Sequence, residues 1–100
     1  MDPGIPDLII SDVVISTTGR DEGKIYYVIQ VDSDYLYLAN GKDRTLDKPK
    51  LKKRKHVQKV LRSETRVAQK LRAGDKVLNG ELRRDLADIS QNMQSNNLGG

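Results

Sequence analysis

Apolar positions along this chain change their spacing once, near residue 62, and the change divides it into two kinds of structure. Before it, the apolar residues come in short β-rich runs. Val13-Val14-Ile15-Ser16-Thr17 is β-branched and predicts a strand. Ile25-Tyr26-Tyr27-Val28-Ile29-Gln30-Val31 predicts a second, and its broken alternation calls for a bulge or burial on both faces. Tyr35-Leu36-Tyr37-Leu38-Ala39 alternates well, placing Leu36 and Leu38 on the core face and Tyr35 and Tyr37 on the other. Asn40-Gly41 is a type I′ hairpin signal, because both central residues of that turn need positive φ. It predicts a returning strand over 42–47, interrupted at Lys48-Pro49 since proline cannot donate to a ladder. His56 to Leu61 supplies a short closing strand.

Beyond residue 62 the spacing becomes helical. Val67, Ala68 and Leu71 share a face of a predicted helix over 63–72, which Gly74-Asp75 would end. Asn79 can cap a second helix, with Glu81 in its first turn and Leu82, Leu86 and Ile89 on one stripe. The resulting organisation is a flexible tail over 1–7, a small antiparallel barrel over 8–61, a helical hairpin extension over 62–90, and a Gln/Asn/Ser-rich disordered tail over 91–100. The fold class expected is mainly β. Large apolar residues concentrate between Leu8 and Leu61, so one small core, a barrel or a bundle, is expected, stable by a narrow margin.

Composition narrows the chemistry. The chain has 100 residues, 36% of them hydrophobic, with no Phe, Trp or Cys. Disulfides and thiolate metal sites are thereby excluded. The single histidine, His56, lies in a lysine run, and no cluster of His or carboxylates has metal-ligand spacing, so no metal or cofactor is expected. No Ser stands beside a base for nucleophilic catalysis, and Gly19-Arg20-Asp21-Glu22-Gly23-Lys24 lacks the spacing of a phosphate-binding P-loop. A non-enzyme is expected. Leu8-Ile9-Ile10 is far shorter than the roughly 7–15 residues of a signal h-region, and no run approaches the roughly 20 apolar residues of a membrane helix. A cytoplasmic protein without membrane contact is expected.

Charge carries the functional signal. Residues 42–72 hold 13 of the 18 Lys and Arg but 3 of the 14 acids, a segment charge of +10 against −6 for the rest. Six like charges between Lys48 and Lys55 repel one another, a cost relieved when a polyanion binds. Arg62, Arg66, Lys70 and Arg72 extend this field onto the first helix. The turn at 19–24 is either a tight strand connection with solvated charges or a place where Arg20 and Lys24, near free backbone N–H groups, hold a phosphate. Tyr35 and Tyr37 are candidates to stack on unpaired bases, unless the tyrosines are core. The helical stripe either packs on the barrel or on itself, or serves as a docking surface or dimer contact.

Several motifs recur in a familiar order: Val13 to Thr17, Gly19-Arg20-Asp21 with Gly23-Lys24, Val28, Val31-Asp32, Ala39-Asn40-Gly41-Lys42 with Arg44, Lys48-Pro49-Lys50 with Lys52, and Lys55-His56-Val57. This succession, covering roughly residues 10–60, resembles the KOW-domain group of large-subunit ribosomal proteins (fourteen-e, six-e and twenty-seven-e). It is more similar still to short bacterial KOW-domain RNA-binding proteins. The resemblance implies an SH3-like barrel that binds RNA, ribosomal RNA in particular, with ribosomal proteins as candidate neighbours. Carried over, the RNA-facing residues are Gly19, Arg20, Gly23 and Lys24, then Lys42, Arg44, Lys48, Lys50, Lys52, Lys53, Lys55 and His56. Arg54 lies in the same basic run and joins the candidate set. Asn40 departs from the Asp that many relatives carry. The alternative of another class is a protein-binding adaptor in translation or transcription–translation coupling, using the barrel or an exposed Leu82–Leu86–Ile89 stripe. Oligomeric state is left open.

Overall fold

The structure is a computed structural model that describes residues 7–99, with side chains described as far as Met93. Of the N-terminal tail expected at 1–7, all but Asp7 lies outside the described residues. The chain is mainly β. Among the described residues five strands, β1 (Asp12–Ser16), β2 (Ile25–Asp32), β3 (Tyr35–Ala39), β4 (Lys50–Lys53) and β5 (Val57–Arg62), form one antiparallel sheet in the order β4-β3-β2-β1-β5. Two helices follow, α1 (Arg66–Ala73) and α2 (Asn79–Gly99).

β4 and β5 are opposite edges of the sheet, yet only a three-residue 3-10 turn, Arg54–His56, joins them. Three residues span about 10 Å, so the sheet must curl until its edges nearly meet. The expected barrel is therefore open: among the described residues, no ladder joins the two edges.

The curl makes two cores. Its concave face encloses Leu8, Val14, Tyr26, Val28, Leu36, Leu38 and Val57. The convex face carries Val13, Tyr27 and Ala39, and the helices cover these with Val67, Ala68, Leu82, Leu86 and Ile89. β2 is thus buried on both faces, Tyr26 in one core and Tyr27 in the other. It also bulges between Val28 and Gln30. Both causes suggested for its broken alternation operate. The single small core expected from the sequence is corrected by the second cluster, because the helices supply apolar residues that lie beyond Leu61.

Three local expectations are also corrected. The segment 42–47 is not the returning strand; it is a loop with one isolated bridge, Thr45 to Lys48, and the return is made by β4 inside the basic run. Asn40-Gly41 is not a type I′ turn, since Gly41 has φ 78° and Asn40 is not in the positive region. The Asn40 carboxamide instead accepts from the N–H groups of Lys42 and Arg44, both at 3.0 Å, closing a wider loop. Gly41 is required there for a tertiary reason: a Cβ would lie 2.2 Å from the Asn79 carbonyl of α2. Finally, α2 runs through the Gln/Asn/Ser segment, expected as a disordered tail, to Gly99. These residues have only a weak bias against helix, and they prolong a helix already anchored by Leu82, Leu86 and Ile89.

Local capping sets the helix ends. Thr65 Oγ1 accepts from Ala68 N at 3.2 Å, so α1 starts at Arg66 rather than Ser63. Gly74, left-handed at φ 76°, ends it with Gly74 N to Leu71 O and Asp75 N to Lys70 O. At α2 the Glu81 carboxylate accepts from Leu78 N at 3.0 Å. Asn79, expected as a cap, turns its side-chain oxygen to Leu46 N at 2.8 Å and ties the 40–49 loop to the helix.

Candidate nucleic-acid interface

The turn between β1 and β2 and the basic strand β4 are about thirty residues apart in sequence, and the curl of the sheet brings them together. β3–β4 register pairs Leu36 with Lys52 and Leu38 with Lys50. Lys50 and Lys52 therefore share the concave face with two core leucines and project at its open edge. There they meet Asp21, which the 19–24 turn places in the same corner.

The turn is tightly built. Gly19 and Gly23 take φ 85° and 89°. Glu22 N bonds Gly19 O, Gly23 N bonds Ser16 O, and Lys24 N bonds Asp21 O. Three of the turn's backbone N–H groups, those of Glu22, Gly23 and Lys24, are thus taken by carbonyls of the turn and of Ser16 in β1. Asp21 accepts from Ser16 Oγ at 3.1 Å, from Lys52 Nζ at 2.9 Å and from Tyr26 Oη at 3.4 Å. Lys50 Nζ stands 3.7 Å from Asp21 Oδ2, the oxygen that Tyr26 also reaches. Burial alone would raise the Asp21 carboxyl. The hydrogen bonds from Lys52 and Ser16 and the charges of both lysines overcome it and hold the group at about 2. Burial, then the Asp21 charge, pushes the Tyr26 phenol up to about 12.

Around this corner lies a cleft of about 420 Å³, lined by Gly19, Arg20, Lys24, Arg44, Lys50 and Lys52, with Asp21, Asp43 and Tyr26. That volume is within the range of ligand clefts, about 300–1,000 Å³. Both sequence-predicted patches contribute to it. Arg20, Lys24 and Arg44 are exposed at its rim and Lys50 is half-buried. Lys24 crosses to Asp43 at 3.0 Å in a solvent-exposed pair, and that bond holds the Asp43 carboxyl below its ordinary range.

The remaining predicted residues are dispersed. Gly23 is in the turn, but does not line the cleft. Lys52 is buried, its ammonium spent on Asp21 and on the Thr18 carbonyl at 2.8 Å. It is a strut of the site rather than an exposed cation. Lys42 and Lys48 are exposed on the 40–49 loop. Lys53 points to the convex face, its ammonium 6.0 Å from the Tyr35 ring centroid. Arg54 donates from Nε to Ser33 O at 2.8 Å, Lys55 is exposed, and His56 is half-buried with its carbonyl accepting from Thr17 N. Tyr35 and Tyr37 share the convex face with Leu51 and Lys53, beyond the helices' cover; Tyr35 is 38% exposed and Tyr37 half-buried.

The basic field expected on α1 is largely neutralised. Arg62 and Lys59 pair with the buried carboxylate of Asp12, Lys70 with Glu81, and Arg72 with Glu64 while also reaching Ser11 Oγ and Ser63 O. These pairs join α1 and β5 to the rest of the fold. Asp21 and Asp43 were missed as site residues: their partners are 31 and 19 residues away, and no local pattern signals such a pairing.

Compared with known proteins, the chain matches no family model and no curated protein. Among the described residues no helix is long and apolar enough to cross a membrane.

Proposed function

We propose that this protein is a non-catalytic, cytoplasmic RNA-binding protein that associates with ribosomal RNA. The observation that carries the reading is the convergence of the glycine turn and the basic strand on one cleft, whose rim presents Arg20, Lys24, Arg44 and Lys50. Separated cations on rigid strands and tight turns suit successive phosphates of one polyanion better than a single small anion. The KOW resemblance of residues 10–60 selects RNA among polyanions, and the exposed Tyr35 offers a face to an unpaired base.

Affinity in this reading comes from phosphate contacts, and shape selectivity from the rigid corner that Asp21 and Lys52 hold. The adaptor alternative drew on an exposed Leu82–Leu86–Ile89 stripe. All three side chains are buried against the sheet, so that stripe lends it no support. Crosslinking in cells followed by sequencing of the bound RNA tests the proposal. Ribosomal RNA recovered at one confined site is the expected result. Recovery of no RNA, or a diffuse pattern across transcripts, overturns it.

A further inference from the structure

A second depression, about 360 Å³, lies between α2 and the 40–49 loop. Lys24 and Asp43 line both it and the cationic cleft, so their ion pair is a partition between adjoining compartments. The floor of this groove is apolar, formed by Ile25, Leu86 and Ala87, and its rim adds Lys42 and Arg83. Together the two compartments carry seven basic side chains and two acidic ones. Both acids are already paired, Asp21 with Lys52 and Asp43 with Lys24.

We infer that the groove is a nucleotide subsite continuous with the phosphate cleft, and that α2 is part of the RNA interface through Arg83. The inference rests on the RNA-binding reading. A strand whose phosphates follow Arg20, Lys50 and Arg44 meets Lys24 next, then Lys42 and Arg83. An apolar floor between cations suits a base or ribose with a phosphate on either side, which is the chemistry of an unpaired nucleotide. A solvated protein partner has no need of a cationic rim on both sides of so small an apolar floor. The position of α2 is set for this by the Gly41–Asn79 contact and the Asn79–Leu46 hydrogen bond, which lock the loop bearing Lys42 to the helix bearing Arg83.

Arg84 is the internal control. It too is exposed and is adjacent in sequence, but it lines a different depression with Glu81, Asp85 and Asp88. The probe is an RNA hairpin with a single-stranded uridine tail, compared with the blunt hairpin, titrated over a range of salt. Arg83→Gln is expected to weaken binding of the tailed probe about three- to fivefold and to shallow its log–log salt slope by about 0.7, the single-strand value for one contact. Arg84→Gln should leave both unchanged. Ala87→Phe fills the floor without changing charge and should abolish the preference for the tailed probe. Equal effects of Arg83→Gln and Arg84→Gln, or wild-type preference in Ala87→Phe, overturn the subsite. If Arg20→Gln and Lys50→Gln weaken binding while the groove variants do not, the subsite alone fails. If Arg20→Gln and Lys50→Gln are also silent, the RNA reading falls and the subsite with it.

Discussion

Asp21 is a carboxylate withdrawn from water, and its charge is kept by Lys52, Ser16, Tyr26 and Lys50. Its group moves from an ordinary 3.8 to about 2 on folding. A depressed folded value stabilises the native state above the unfolded value, and that stabilisation is lost as pH falls through the folded one. Acid should therefore cost this chain stability between about pH 4 and pH 2, by roughly 2 kcal/mol from this group. Lys52→Met removes the main partner and leaves a buried carboxylate on Lys50 and two hydroxyls. It should destabilise the protein by about 2–4 kcal/mol and raise the Asp21 carboxyl toward its ordinary value. Denaturant unfolding and carboxyl NMR titration check the two halves. At this scale the sequence was legible in charge and blind in role. Lys52 reads like its neighbours in the basic run, yet strand parity turns it inward while Lys53 faces solvent. An inward charge on an edge strand also discourages pairing with another chain's edge.

The elements were legible where the signal was local. Leu36 and Leu38 are core, Gly74 ends α1, and the Leu82–Leu86–Ile89 stripe is a buried helix face. They were illegible where a distant element decides. Gly41 looks like half of a hairpin turn, but α2 needs its missing side chain. Gly41→Ala should cost about 2–4 kcal/mol, from a Cβ against the Asn79 carbonyl and an unfavourable positive φ. Gly23→Ala, which has the same φ sign and nothing within 4 Å, should cost only about 1–2 kcal/mol. Similar losses in thermal unfolding would contradict the packing role of Gly41. The helices are held to the sheet by a polar contact as well: Tyr27 donates to Asp85 and meets Ser63 Oγ at 2.8 Å, and Thr65 Oγ1 reaches the same carboxylate at 2.8 Å. Tyr27→Phe leaves those groups short of a partner and should destabilise by about 1–3 kcal/mol, measured as a lower denaturant midpoint.

Across the whole molecule, the two buried tyrosines couple both cores to alkaline pH. Burial, aided for Tyr26 by Asp21 and for Tyr27 by its bond to Asp85, pushes each phenol from 10 up to about 12. A raised folded value stabilises the native state below the unfolded value, and the benefit is lost as pH rises through the folded one. Unfolding should therefore accompany phenolate formation between about pH 10 and 12, followed by absorbance and circular dichroism on one sample. Phenolate formation complete near pH 10 in a still-folded protein would contradict the burial of both rings. The basic field is also smaller than the sequence suggests. Lys59, Arg62, Lys70 and Arg72 are occupied by Asp12, Glu81 and Glu64, which leaves the field to the cations of the cleft and its groove and to exposed side chains such as Lys48 and Lys55.

The central claim is that the cations of the cleft contact RNA phosphates, and salt dependence tests it most directly. Binding of a structured RNA should weaken steeply with salt. Replacing Arg20, Arg44 and Lys50 together by Gln should shallow the log–log slope by about 2–3 units, one for each lost contact. Replacing Lys59, Arg62 and Arg72, whose charges serve the fold, should leave the slope of the folded protein unchanged. An unchanged slope in the cleft variant, or equal shallowing in both, would contradict the account.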